Sequence, residues 1–167
     1  MKPRRDMTDA ASLRLSREVA QTARVGVIRS NFHREMSERL EQKCVETLVQ
    51  GGLPRQNIDR VVVPGCFEIP FVAQRLAATQ NYSVLIALGV VVRGDTYHFE
   101  LVANECARGV MQVSLANDIP IIFEVLAVYR LRDAARRSAN NSSNKGIEAA
   151  HAALQLLQTM REIARKK

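Results

Sequence analysis

The chain has 167 residues, 47% hydrophobic but only 5% aromatic and with no Trp, so a single domain with an aliphatic core is expected. No stretch approaches the roughly 18 apolar residues of a membrane span, and the first residues carry no apolar secretory segment. The net charge of +7 sits mostly at the ends, +3 in residues 1–24 and +3 in residues 157–167, and no aromatic side chain stands among those charges, which disfavours nucleic acid as a partner.

Residues 1–22 stand outside the pattern that follows and read as an N-terminal arm or a frayed helix; 23–167 read as one α/β domain. Arg24 to Ser30 is a first strand. Met36, Leu40, Cys44 and Leu48 form an i, i+4 stripe for a helix stopped by Gly51, Gly52 and Pro54. Ile58 to Val63 is a second strand, closed by Pro64-Gly65, and Glu68 to Thr79 a second helix with Pro70 tolerable in its first turn. Val84 to Val92 is a nine-residue apolar run without a charge, as a parallel strand covered on both faces reads. A helix containing His98 runs on to Leu115. Ile119 to Ala127 is a fourth strand and Leu131 to Ser138 a short Arg-rich helix. Residues 140–144 form a polar break before an amphipathic helix marked by Ile147, Ala150, Leu154, Leu157 and Ala164. Strands separated by helices predict a four-stranded parallel sheet flanked by helices.

Ligands of such sheets bind beyond the carboxyl ends of the strands, and the chemistry-bearing residues cluster there. Ser30-Asn31-Phe32-His33 follows the first strand and Pro64-Gly65-Cys66-Phe67-Glu68-Ile69-Pro70 the second. Arg93-Gly94-Asp95-Thr96-Tyr97-His98 follows the third, and Phe123 lies in the fourth with Arg136 and Arg137 downstream. A glycine turn feeding a helix N-terminus presents free N–H groups, a seat for an anion. An imidazole beside it exchanges protons near neutral pH. Each residue has a plainer reading: Phe32 as a core aromatic, Glu68 as a first-turn carboxylate favoured by the helix dipole, Thr96 as the N-cap of the next helix. Cys44, Cys66 and Cys106 are an odd number without C-x-x-C spacing, so neither a disulfide framework nor a metal site is indicated and a reducing cytoplasm fits.

Taken together, Pro-Gly-Cys-Phe-Glu-Ile-Pro (64–70), Gly-Val-Val-Val-Arg-Gly-Asp-Thr-Tyr-His-Phe-Glu (89–100), Val-Ala-Asn-Glu (102–105) and Asn-Lys-Gly (144–146) resemble the 6,7-dimethyl-8-ribityllumazine synthases of riboflavin biosynthesis. The resemblance implies a flavodoxin-like three-layer sandwich, homo-oligomers built from pentamers with sites between subunits, and no metal or other cofactor. It implies condensation of 5-amino-6-(D-ribitylamino)uracil with 3,4-dihydroxy-2-butanone 4-phosphate, with riboflavin synthase as a further partner.

Residue by residue, Phe32 matches the aromatic that stacks on the pyrimidine, and Cys66, Phe67 and Glu68 the stretch that holds the ribityl chain. The backbone of Val90, Val91 and Val92 matches the edge that reads the pyrimidine's polar atoms. Asp95 and Thr96 match the phosphate-receiving turn, and His98 the proton carrier. Phe123 and Arg137 match groups donated by a neighbouring subunit, with Lys145 a second cation for the same phosphate. The chain departs from the family at Cys66, usually alanine, at Glu124, commonly glycine, and at Arg136, commonly an acid, which leaves two adjacent guanidiniums for one phosphate. A non-catalytic lumazine- or flavin-binding relative would use the same pocket, but would not need the phosphate seat.

Overall fold

A computed structural model of the protein describes residues 13–166. Four parallel strands, β1 (Val25–Ser30), β2 (Ile58–Val63), β3 (Val84–Val92) and β4 (Ile121–Val128), lie in the order β2-β1-β3-β4. The helices are α1 (Arg17–Thr22), α2 (Arg34–Gln50), α3 (Ile69–Ala78), α4 (His98–Ala116), α5 (Leu131–Arg137) and α6 (Lys145–Arg165). Two apolar cores result. Val25, Val27, Ile86 and Leu88 of the sheet meet Leu40 and Leu48 of α2 and Leu154 of α6 on one face. Ile28, Leu85 and Ala87 meet Ile69 of α3 and Cys106 and Val110 of α4 on the other. The three layers are those of the flavodoxin-like sandwich. Because β1 and β3 are central, every residue of β1 and all but the last of β3 are buried, which is why β3 tolerates an unbroken apolar run.

Element boundaries moved where a single side chain decides them. The fourth strand starts at Ile121 because Pro120 has no N–H and the Ile119 N–H turns back to the Ser114 carbonyl (3.1 Å). The last helix starts at Lys145, directly after the polar break, whose final residue caps it. Asn144 is its N-cap: it is fully buried, Oδ1 accepts from the Gly146 N–H (2.8 Å), and Nδ2 donates to the Ala139 carbonyl (2.9 Å).

Of the segment 1–22, residues 1–12 lie outside the described residues. The remainder packs on the domain: Leu15 and Val19 join the α2–α6 core, the Leu15 N–H donates to the Gly51 carbonyl (2.9 Å), and Glu18 pairs with Arg161 and Arg165 of α6.

At the start of α6 the backbone of α2 comes so close that only glycine fits. A Cβ on Gly146 would lie 2.1 Å from the Leu40 carbonyl oxygen, which has no flexible end to give way. Gly146→Ala should therefore destabilise the protein by about 1–3 kcal/mol, as overpacking does, and a lower urea midpoint at unchanged slope is the measurement.

On β4, the Glu124 carboxyl lies on the same side as Leu126 and Val128. It is pushed up to about 7, by burial above all, with Lys145 drawing it down and Glu148 raising it. Its ordinary value is 4.5, so the folded state holds this proton more tightly than the unfolded chain does. That contribution to stability is present in full below about pH 4.5 and is lost as the pH rises through about 7. Glu124→Gln should accordingly gain stability over the parent at pH 8 but not at pH 5, read from urea midpoints at both. An equal difference at the two pH values would sink this assignment.

Candidate functional site

The chain steps from β1 outward to β2, then crosses back to β3 and on to β4, so strand order reverses between β1 and β3. A crevice at the carboxyl ends of those two strands is the expected consequence. Register deepens it. β1 and β3 pair from Val25–Val84 to Arg29–Leu88, whereas β3 continues against β4 as far as Val92–Val128. From Val90 to Val92 the side of β3 facing β1 has no strand partner among the described residues.

A pocket of about 620 Å³ occupies this place. Its floor is Val90, Val91 and Val92 together with Cys66; Phe32, Gly65, Phe67 and Glu68 form one wall. Gly94, Thr96 and His98 form the rim beyond β3, and Phe99, Leu101 and Val102 of α4 close the far side. Ten of the thirteen candidate residues thus fall in or beside one cavity. Asp95 is the one beside it, exposed in the same turn but outside the lining. Sequence reasoning missed Phe99, Leu101 and Val102. His98, Leu101 and Val102 share the i, i+3, i+4 face of α4, and that helical spacing was the available signal.

The wall is built by two loops. Phe32 is 66% exposed, and its ring is met edge-on by His33 at 4.9 Å between centroids. The Phe32 N–H donates to the Pro64 carbonyl (3.1 Å), tying this loop to the end of β2. His33 caps α2 in the left-handed region (φ 53°), where His, Asn and Asp are the commoner non-glycine residues. Phe32 is therefore no core aromatic. After β2, Cys66–Glu68 make a single 3-10 turn. Glu68 Oε2 accepts from the Gly65 N–H (2.8 Å), so one carboxylate oxygen braces its own loop. Burial pushes the Cys66 thiol up, so it stays protonated and serves as a small polarisable surface. Gly89 lets that surface pack: a Cβ there would sit 2.5 Å from Cys66 Sγ and 2.8 Å from Ser30 Oγ.

The rim is open backbone. α4 begins at His98 with Tyr97 as its cap and no side-chain capping bond, so Thr96 does not cap the helix. The N–H groups of residues 94–97 find no backbone or side-chain acceptor among the described residues, and Tyr97 and His98 are exposed. A Cβ on Gly94 would meet nothing within 4 Å, so nothing in the fold's own packing demands glycine there. Free N–H groups at a helix start, beside an empty glycine position and an imidazole, can receive a phosphate and exchange protons with its neighbour.

Phe123, Arg137 and Lys145 are not in this cavity. Phe123 is 40% exposed on the edge strand β4, level with Ala87. Arg137 ends α5, its Nη1 donating to the Asp133 carbonyl (3.3 Å), while the adjacent Arg136 is largely exposed. Lys145 Nζ is 2.6 Å from Glu148 Oε2. The pocket lining consequently holds no Lys or Arg. Among the described residues no group of His, Cys, Asp and Glu could hold a metal ion, and no helix is long and apolar enough to cross a membrane.

Comparison with known proteins points to one family. The family model described as 6,7-dimethyl-8-ribityllumazine synthase matches residues 22–161. A 6,7-dimethyl-8-ribityllumazine synthase of Leuconostoc mesenteroides subsp. mesenteroides is 39% identical over 140 residues, 84% of this chain and 90% of the relative.

Proposed function

The chain belongs to the 6,7-dimethyl-8-ribityllumazine synthase family, and we propose that the pocket at the ends of β1, β2 and β3 is where it works. The enzyme condenses 5-amino-6-(D-ribitylamino)uracil with 3,4-dihydroxy-2-butanone 4-phosphate, releasing phosphate and water, in the penultimate step of riboflavin biosynthesis. The observation that carries the siting is the edge of Val90–Val92, without a strand partner and touched only at the Val90 carbonyl by the Cys66 thiol among the described residues, lying between an exposed aromatic face and a free-N–H turn.

In this reading the pyrimidine lies on Phe32 and pairs its polar edge with the backbone of Val90–Val92, as an added strand would. The ribityl chain passes Cys66 and Phe67, and its hydroxyls reach the Glu68 oxygen that does not brace Gly65. The phosphate of the ketone sits on the N–H groups of Gly94, Asp95 and Thr96, with the Thr96 hydroxyl beside it. That placement holds the amine against the carbonyl, and alignment of this kind supplies much of the acceleration of a bimolecular condensation. Imine formation, phosphate elimination and ring closure each move a proton. His98, on the rim between the two binding regions, is the group suited to carry it.

The phosphate lacks a cation in this pocket, and Arg137 lies elsewhere on the chain. We assign Phe123 and Arg137, with Lys145 as the alternative cation, to the pocket of the next subunit around a homopentameric ring. Exposed Phe67, Phe71, Leu101, Met111 and Leu115 are the kind of apolar surface that such contacts cover. Three free, buried cysteines fit a reducing cytoplasm.

His98→Ala should lower kcat by about 10²-fold, the low end of general acid–base contributions, with the pyrimidine's KM nearly unchanged. An undiminished rate in the folded variant removes His98 from the mechanism.

Arg137→Ala should raise the KM of the phosphorylated ketone far more than that of the pyrimidine, because only the ketone carries a phosphate for the guanidinium to pair with. Mixing Arg137→Ala with His98→Ala subunits under exchanging conditions should then give more activity than either variant has by itself. Exchange without that gain would put both residues in one protomer's site.

A further inference from the structure

Beneath the loop that carries Phe32 lies a buried network of charges. Arg29, the penultimate residue of β1, is 6% exposed and faces α2, where Glu41 is 8% exposed. Arg29 Nε donates to Glu41 Oε2 (3.2 Å), and Nη2 is 3.8 Å from Glu38 Oε1. Its Nη1 reaches upward to the Ser30 carbonyl (3.4 Å) and Asn31 Oδ1 (3.5 Å). Glu38 also accepts from Arg34 Nε (2.7 Å), the first residue of α2. Two arginines and two glutamates therefore bracket residues 30–33 from below and from the far side.

Packing gives no reason for these charges. The preceding residues on the same face of β1, Val25 and Val27, are fully buried aliphatics, and an apolar pair in place of Arg29 and Glu41 would avoid desolvating two ions. The loop above does give one. His33 holds a left-handed backbone that persists only if its surroundings fix it. Among the described residues the Phe32 ring, largely exposed, has only the His33 edge as an aromatic neighbour. On the β2 side the loop is held by the Asn31 and Phe32 N–H groups; on the α2 side the first helical turn holds the His33 carbonyl, and Arg29 holds Ser30 and Asn31.

We infer that Arg29 is a positioning residue for the pyrimidine site: clamped by Glu41 and Glu38, its guanidinium fixes Ser30 and Asn31 so that Phe32 stands at the pyrimidine face. This rests on the reading that Phe32 stacks on the pyrimidine. Removing Arg29 alone would strand Glu41 as a buried, unpaired charge and risk the fold. The informative variant is therefore Arg29→Leu with Glu41→Leu, which replaces both charges by apolar groups.

The assembled enzyme carrying both changes should keep its thermal midpoint and kcat, while the pyrimidine's KM rises about five- to tenfold, part of what a stacked base is worth. The ketone's KM should not move. On a Phe32→Ala background the same two changes should add nothing, because the ring they position is gone. An unchanged pyrimidine KM overturns the proposal, as does a further multiplicative loss on the Phe32→Ala background or a joint fall of midpoint, kcat and both KM-based affinities. Phe32→Ala by itself reports on the stacking: if it leaves the pyrimidine's KM unchanged, the stacking reading fails first and the positioning role falls with it.

Discussion

The carboxyl end of β3 runs past the last residues of β1, and the rest of the site depends on that overhang. A central strand normally has both edges occupied, so its N–H and C=O groups are spoken for. Here the pairing with β1 stops at Leu88 while the pairing with β4 continues to Val92. The stretch without a strand partner is short, apolar in its side chains and polar only in its backbone. A planar heterocycle with donors and acceptors on one edge is the kind of ligand such a surface recognises. Any other pairing register would bury this edge or shift it away from Phe32 and the turn at Gly94.

The loops around the overhang are braced internally, so that ligand contacts do not have to hold them. Glu68 ties Gly65, Pro64 holds Phe32, and the Arg93 N–H continues the β4 ladder by donating to the Val128 carbonyl (2.9 Å) just before the turn opens. Such bracing lowers the ordering entropy that a bound substrate would otherwise have to offset. What is left unbraced is the run of N–H groups at 94–97, and those are the groups that a bound anion would satisfy.

Much of this is legible in the sequence because burial and turn chemistry act locally. The uncharged run at 84–92 announces a doubly covered strand, and the loops at 64–70 and 93–98 announce themselves by Gly, Pro and short polar residues. The register between β1 and β3 is not legible, because Val, Ile and Leu on both strands satisfy several pairings equally. Nor is the Arg29–Glu41 contact, since the partners are twelve residues apart on a strand and a helix whose relative rotation is set by packing. Asn144 shows the same limit at short range: in a run of Asn and Ser, nothing local says which one is buried as the cap.

The separation of the anion seat from the arginines has a physical logic of its own. Backbone N–H groups and a helix start attract phosphate modestly and let it leave, which suits a step in which phosphate must be expelled. Arg136 and Arg137 instead sit at the end of α5, anchored there through Asp133. On our assignment the Arg137 charge reaches the seat only when a second subunit docks, so the apolar contacts that would close the ring would also complete the electrostatics. On that assignment, folding of one chain prepares both the pyrimidine face and the N–H turn, and association would add the cation.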